Sequence, residues 1–148
     1  MARFEFKSEV TVKALPEQAF DYFADHNHVA EVLDGVSRWE PVGAKTRGAG
    51  ARYNVELVAF GLPLKSVLRL NRWKRPDEIG WVSESGLIKQ DGGFTFKKVP
   101  AGVLIVMRIA YEPPASFVGA ALARPLDHMV RERLKKAMER IRDRLEAN

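Results

Sequence analysis

The sequence predicts an α+β domain in which a curved antiparallel sheet of seven strands wraps around a long C-terminal helix. One observation is a series of short segments with alternating apolar and polar residues, separated by turns rich in Gly or Pro. The other is the final segment, 114–145, whose apolar residues recur at steps of three and four. An apolar stripe on so long a helix needs a broad apolar partner, which one face of the sheet supplies. The stripe consists of Leu122, Leu126, Met129, Val130, Leu134, Ala137, Met138, Ile141 and Leu145.

The predicted elements follow one another in a simple order. A first strand, 3–12, leads into two short helices, 16–24 and 29–33, with Pro16 in the first turn of the first helix. Six more strands follow, and the long helix comes last. Because short consecutive strands with tight turns pair with their neighbours, this order indicates a sequential meander. The six strands are predicted at 36–42, 52–60, 64–73, 78–83, 93–99 and 103–111, with a loop at 86–92.

Length and composition indicate one domain, residues 1–148. A chain of 148 residues with 46% hydrophobic and 29% charged residues can bury a core of ordinary size. No apolar run approaches the roughly 20 residues that cross a membrane, and the N-terminal segment lacks the apolar block of a signal peptide. The absence of Cys excludes disulfides and cysteine metal sites. We therefore expect a cytoplasmic protein without integral membrane association.

The net charge of +5 is concentrated in the last helix, where 131–148 carries seven Lys or Arg against four Asp or Glu. Charges of both signs alternate there, and pairs such as Glu132 and Lys136 are typical of a solvated helix face. No aromatic residues are interleaved with the basic ones, so nucleic-acid binding is not expected. An interaction module that uses this basic face on membranes or proteins is the weaker alternative.

Motifs of known catalytic chemistry are few. The glycines of 48–50 run into a strand, which argues against a dinucleotide site. Asp25, His26 and His28 are the one metal-like cluster, but two His residues two positions apart diverge on a helix. We therefore expect no metal and no cofactor. His128 on the last helix has two interpretations: an acid or base facing inward, or an exposed residue paired with its neighbour Asp127.

The alternation along 64–73 leaves two orientations open. In the first, Ser66 and Arg72 face the helix together with the leucines of that strand. The same ambiguity applies to Glu56 and Arg108 on other strands. An inward Arg can hold a carboxylate or enolate oxygen, whereas an outward Arg is solvated. In the second orientation of 64–73 the inward residues are Lys65, Arg69 and Asn71.

Short structural motifs occur in a fixed order along essentially the whole chain. They are Val12-x-Ala14-x-Pro16-Glu17-x-x-Phe20-x-Tyr22-x-x-Asp25, Gly35-Val36, Gly50, Arg75-Pro76 with Ile79-x-Trp81-x-Ser83, and Tyr111-Glu112-Pro113-Pro114. In this order the chain resembles the START-like, birch-pollen-allergen-like (SRPBCC) superfamily, and within it the bacterial polyketide cyclase/dehydrase-like branch. The resemblance implies a helix-grip fold. The second short helix departs from the family, which commonly has a Trp where this chain has Val32-Leu33.

The resemblance also implies an apolar cavity that binds a small hydrophobic molecule of lipid-, aromatic- or polyketide-like type. A cyclase, aromatase or dehydratase acting in the same cavity is the alternative, and it requires an acid, a base or an Arg inside. Composition alone does not decide whether large side chains fill this space or line it. A monomer or a homodimer is expected. The candidate ligand-binding residues are Tyr53, Leu57, Leu68, Trp81, Phe94, Phe96, Met107, Ile109, Tyr111, Leu122, Leu126 and Met129.

The last helix is predicted to serve two purposes along its length. The part before Val130, which holds Leu122, Leu126 and Met129 and is interrupted by Pro125, is expected to form the lid of the cavity. The more regular part after Val130 is expected to stabilise the fold by packing on the sheet.

Overall fold

The computed structural model describes residues 3–147, and these form seven strands and five helical segments. Within this part of the chain no helix is long and apolar enough to cross a membrane. The elements are β1 (Phe4–Val12), α1 (Pro16–Ala24), a 3₁₀ turn (His26–His28), α2 (Val29–Val32), β2 (Val36–Pro41), β3 (Arg52–Ala59), β4 (Leu62–Lys74), β5 (Glu78–Gly86), β6 (Lys89–Val99), β7 (Gly102–Glu112), α3 (Ala115–Gly119) and α4 (Ala123–Glu146).

The strands form a single antiparallel sheet in the order β1-β7-β6-β5-β4-β3-β2. Each of β2 to β7 pairs with its neighbour in sequence, and β1 joins the far edge by pairing with β7. Register shifts against the neighbouring strand occur at Leu70/Arg72 in β4 and at Val36/Arg38 in β2. Such bulges bend strands and increase twist, which favours the curvature of the sheet. The predicted meander and the α+β class are confirmed.

The apolar face of the sheet is covered by α1 and α4. In α1, Pro16 occupies the first turn, where its missing N–H costs nothing, and the Gln18 side chain accepts a hydrogen bond of 2.8 Å from the Leu15 N–H. This helix buries Phe20, which is 1% exposed, against the sheet. Ile141 of α4 is equally buried in the same cluster. The two helices therefore close one part of the sheet face with a packed core.

The helix predicted over 114–145 is divided into two helices, and the break lies before Pro125, where the interruption was expected. The short helix α3 ends at Gly119, and α4 begins at Ala123. Ala121 between them has φ 59°, a left-handed conformation that interrupts the helical hydrogen-bond pattern. Pro125 lies in the first turn of α4, where a Pro is tolerated.

The predicted loop at 86–92 is largely strand, because β6 begins at Lys89. The turn signal came from Gly92 and Gly93, which occupy central positions of β6 and pair with both neighbouring strands. These glycines do not form a turn. They leave room for the side chains of Trp81 and Arg72, which lie close to the strand. A Cβ at Gly93 would lie 2.9 Å from the Arg72 guanidinium on the outer face.

Candidate functional site

A cavity of about 200 Å³ lies between the apolar face of the sheet and the helices. The sheet contributes an aromatic-rich wall, and the middle of α4 contributes an aliphatic one. The segment that connects α1 to β2 adds the polar residues Asp25, His26, His28 and Asp34. The principal apolar lining residues are Trp39, Tyr53, Leu57, Leu70, Trp73, Ile79, Trp81, Phe94, Met107, Ile109 and Tyr111 from the sheet, and Val130, Leu134, Ala137, Met138 and Ile141 from α4.

Seven of the twelve predicted site residues lie on the wall of this cavity, and five do not. Leu68 is buried with Ala51 and Val55 beside the cavity. Phe96 packs against Phe20 in the core, with 5.9 Å between the ring centroids. The other three, Leu122, Leu126 and Met129, lie in a separate cluster around Phe117. The seven on the wall are Tyr53, Leu57, Trp81, Phe94, Met107, Ile109 and Tyr111.

The expected division of the last helix is reversed in the structure. Leu126, at the start of α4, is 1% exposed and packs in the cluster with Phe117 of α3 and Tyr111. The cavity is instead lined by the part of α4 from Val130 to Ile141. The reason is the break before α4, which folds α3 back as the packing partner of the first turns. The part of the helix that was expected only to stabilise the fold therefore forms the cavity wall.

Gly92 allows an indole ring to lie against the sheet on the cavity side. It pairs with Trp81, and a Cβ at Gly92 would lie only 2.8 Å from Cζ2 of that indole and 2.6 Å from the Arg108 carbonyl oxygen. The indole N–H donates a hydrogen bond of 3.2 Å to the side-chain oxygen of Gln90. The backbone N–H of Gln90 in turn donates to Ser83 Oγ at 2.9 Å. The space left at Gly92 and the hydrogen bonds through Gln90 to Ser83 together set the orientation of Trp81.

We predict that Gly92→Ala displaces Trp81 and reduces the space in the cavity. The added methyl group has no room, so the indole or the strand must shift, at a cost of about 1–3 kcal/mol in unfolding free energy. Near-ultraviolet circular dichroism and urea unfolding measure both effects. Gly119→Ala is the matched control, because a Cβ there meets nothing within 4 Å. Equal spectra and equal stability for both variants would contradict the role assigned to Gly92.

Most polar atoms near the cavity have partners within the protein. The Tyr53 hydroxyl donates to the Thr46 carbonyl oxygen at 2.6 Å. The Tyr111 hydroxyl donates to Asp127 Oδ1 at 2.8 Å. Asp25 accepts the Asn27 backbone N–H at 2.9 Å, a hydrogen bond that lowers the pKa of the Asp25 carboxyl. These groups are therefore held in place without a ligand.

Two residues that line the cavity each carry a buried polar atom without a hydrogen-bond partner among residues 3–147: Tyr22 at its hydroxyl and His26 at Nδ1. The Tyr22 ring stacks on His28, with 4.2 Å between the centroids, and His28 Nδ1 donates to the Tyr22 carbonyl oxygen at 2.6 Å. The His26 ring lies 5.8 Å from the Tyr53 ring. A buried polar group without a hydrogen bond lowers stability by about 1–3 kcal/mol. A ligand that forms hydrogen bonds with these atoms would remove this penalty.

On sequence grounds this region stood out only through the metal-like cluster of Asp25, His26 and His28. In the structure Asp25 caps the 3₁₀ turn, and the turn places His26 on the cavity wall. Among the described residues no group of three or more His, Asp or Glu could hold a metal ion. The signal that could have indicated the site is the aromatic and polar run from Tyr22 to His28, which begins in the last turn of the helix that packs on the sheet.

All three tyrosines of the chain line the cavity, and burial raises the pKa of each phenol. The hydrogen bond to the Asp127 carboxylate raises the pKa of Tyr111 further. A raised folded-state pKa stabilises the fold fully below the ordinary value of about 10, and this contribution is lost as the pH rises through the folded-state values.

We therefore predict that no tyrosine in the native protein ionises with an ordinary pKa, and that stability declines from about pH 10 upward. Tyrosinate absorbance measures ionisation, and urea unfolding at several pH values measures stability. The protein in concentrated urea is the control, and its tyrosines should titrate near 10. A native titration in which any of the three phenols shows that ordinary midpoint would contradict the prediction.

The charged residues left ambiguous on the strands face away from the cavity. Leu70 pairs with Trp81 and Arg72 pairs with Gly80, so Asn71 is an extra residue in β4 and the alternation reverses there. Arg72 consequently forms an ion pair with Glu78 at 2.8 Å on the outer face. Ser66 shares the inner face and is 9% exposed, but it does not line the cavity. The other outward residues pair as Arg69–Glu84, Lys65–Glu56 and Arg108–Asp91.

Comparison with known proteins places the chain in a family. The family model for polyketide cyclase / dehydrase and lipid transport matches residues 3–146. The chain belongs to this family. The match covers nearly the whole sequence, and it confirms the superfamily and branch indicated by the sequence motifs. No curated protein sequence matches the chain.

Solved structures of low sequence identity share the fold. TTHA0849 from Thermus thermophilus has a TM-score of 0.81 at 21% identity, covering 97% of this chain and 97% of that chain. The Zhui aromatase/cyclase from Streptomyces sp. R1128 has a TM-score of 0.79 at 14% identity, covering 98% and 94%. Ara h 8.0201 has a TM-score of 0.72 at 13% identity, covering 99% and 100%. The helix-grip fold is therefore confirmed.

Proposed function

We propose that this member of the family binds a small apolar molecule, of aromatic, polyketide-like or lipid-like type, in the cavity between its sheet and α4. The observation that carries the proposal is a cavity of about 200 Å³ whose wall is predominantly aromatic and aliphatic. The side chains around an empty apolar cavity lack dispersion contacts on one side, and an apolar ligand supplies those contacts. The family's association with polyketide cyclisation and lipid transport supports the proposal. A cytoplasmic location and a monomeric or homodimeric state stay predictions.

The ligand carries at least one group that forms hydrogen bonds. Tyr22 and His26 line the cavity, their buried hydroxyl and Nδ1 atoms have no partner among residues 3–147, and a ligand hydroxyl or carbonyl would satisfy them. A purely hydrocarbon ligand would leave both atoms unpaired. The proposed ligand class is therefore an apolar scaffold with a polar substituent directed toward the end of α1 and the 3₁₀ turn that follows it.

Native mass spectrometry of the purified protein, with organic extraction of bound molecules, tests the proposal directly. Titration with naphthalene and with naphthol tests the polar contact, and Tyr22→Phe is the matched variant because it removes only the hydroxyl. We expect Tyr22→Phe to weaken naphthol binding several-fold, by about 1 kcal/mol, and to leave naphthalene binding unchanged. A parent protein that binds neither probe and yields no extracted molecule would refute the proposed function.

A cyclase-type enzyme in the same cavity is the second candidate, and the presence of His26 on its wall favours it. An imidazole and a phenol inside an apolar cavity can move protons during enolisation or dehydration of a poly-β-keto chain. The aromatase/cyclase among the structural neighbours supports this candidate. The test is ultraviolet detection of an aromatic product from a poly-β-keto thioester, with His26→Ala as the variant. A ligand that binds tightly but is returned unchanged would exclude the enzyme.

A further inference from the structure

Arg133 is a cation on the wall of a cavity that is otherwise mainly apolar. It lies on α4, is half-buried and lines the cavity. One of its terminal nitrogens donates a hydrogen bond of 2.8 Å to the Val58 carbonyl oxygen at the end of β3. The guanidinium lies against Gly35, where a Cβ would overlap it. Gly35 has φ 83°, so this turn favours glycine for its backbone as well as for the space it leaves.

The acidic side chains around the cavity already have partners of their own. Asp34 forms an ion pair with Arg140 at 2.8 Å, and the hydrogen bond from that guanidinium lowers the pKa of the Asp34 carboxyl. Arg133 contributes to this lowering only through its more distant charge. Asp25 accepts two hydrogen bonds from Asn27, at 2.9 and 3.0 Å. A cationic ligand would therefore compete with protein partners for both carboxylates.

Arg133 differs from these residues because it forms no ion pair with any carboxylate in the part of the chain that the structure describes. A guanidinium has five N–H donors in a planar fork that matches the two oxygens of a carboxylate. Among residues 3–147 the one hydrogen bond of Arg133 goes to the Val58 carbonyl oxygen, so the other donors have no acceptor in this part of the protein. Next to an apolar wall, an unpaired cation attracts an anion more strongly than it would in water.

We propose that Arg133 recognises an oxyanion on the ligand, so that the ligand is an apolar acid: an aromatic or aliphatic molecule that ends in a carboxylate or a chemically similar group. This inference rests on the proposed function, since it assumes that the cavity binds an apolar molecule. The apolar part of the ligand occupies the space between the sheet and α4, and its acidic group lies at the edge formed by Gly35, Val58 and Arg133. Arg133 thereby selects acids over neutral molecules of equal shape.

The experiment uses two fluorescent probes that share one scaffold: anilinonaphthalene sulfonate, which is an anion, and N-phenylnaphthylamine, which lacks the sulfonate. Both are titrated into the parent protein, Arg133→Gln, Arg133→Lys and Lys136→Gln. Lys136 is exposed on the same helix and does not line the cavity, so its substitution removes one positive charge without touching the site. Circular dichroism establishes that each variant is folded.

We expect the parent to prefer the sulfonate, and Arg133→Gln to weaken its binding by about tenfold or more while neutral-probe affinity stays within about twofold. Arg133→Lys should retain part of the preference, and Lys136→Gln should retain all of it. In the parent, the preference should decline as salt rises from about 20 to about 500 mM. Extracted native ligands should ionise as acids in negative-ion mass spectra.

The outcomes separate this inference from the function on which it rests. A parent that binds neither probe refutes the proposed function. A parent that binds the neutral probe at least as tightly as the sulfonate refutes the role of Arg133 and leaves apolar binding intact, and this measurement needs no variant. Equal weakening of both probes in Arg133→Gln would show that Arg133 only supports the fold. An equal loss of sulfonate binding in Lys136→Gln would assign the effect to the charge of the helix surface.

Discussion

Replacing Ala137 with Phe is expected to remove most of the ligand-binding capacity. Ala137 is 6% exposed and lies on the part of α4 that lines the cavity. A phenyl ring at this position enters a space of about 200 Å³ and occupies a large part of it. We expect affinity for an apolar probe to fall by at least about tenfold, which corresponds to about 1.4 kcal/mol. The fold should tolerate the change, because the ring enters a void and does not displace packed side chains.

Titration with a neutral fluorescent probe, together with urea unfolding, measures both parts of this prediction. Ala147→Phe is the control, since Ala147 is exposed at the end of the same helix. It should leave binding unchanged. If Ala137→Phe binds the probe as tightly as the parent protein, the ligand does not occupy this cavity. If it fails to fold, the middle of α4 is packed more closely than the structure indicates.

The sequence was sufficient to predict the architecture because the relevant signals are local. Alternation and turn residues locate six of the strands within a few residues, and the apolar stripe identifies α4. The exception is the start of β6, where Gly92 and Gly93 resemble a turn. Their role depends on Trp81 of the adjacent strand β5 and on Arg72, which reaches across from β4. Contacts between distant parts of the chain leave no mark on local periodicity.

The cavity wall was harder to predict because periodicity identifies a buried face but not what covers it. Leu126 and Leu134 belong to the same stripe, yet Leu126 packs with Phe117 whereas Leu134 lines the cavity. The difference follows from the left-handed conformation of Ala121, which lies between Gly119 and the Pro125 at which the sequence predicted an interruption. In β4, the one-residue bulge at Asn71 similarly reverses the orientation of Arg72. A single backbone irregularity was enough in each case to change the assignment of several side chains.

The largest loss of stability is expected for Phe20→Ala. Phe20 is 1% exposed and makes edge contacts with Trp73 and Phe96, with 5.1 and 5.9 Å between ring centroids. It belongs to the packed part of the core between α1 and the sheet, where surrounding side chains cannot collapse into the space left by a phenyl ring. Removing it should lower the free energy of unfolding by about 3–5 kcal/mol, measured by urea denaturation without ligand.

Phe94→Ala is the matched comparison, because Phe94 also contacts other aromatic rings but faces the cavity. Its ring stacks on Phe23 at 4.0 Å between centroids and lies 5.7 Å from the Trp81 ring. One side of the ring already borders empty space, so its removal should cost at least about 1 kcal/mol less than removal of Phe20. Probe binding should change in Phe94→Ala and persist in folded Phe20→Ala. Equal costs for the two variants, with equal effects on binding, would mean that no boundary separates the packed core from the ligand cavity.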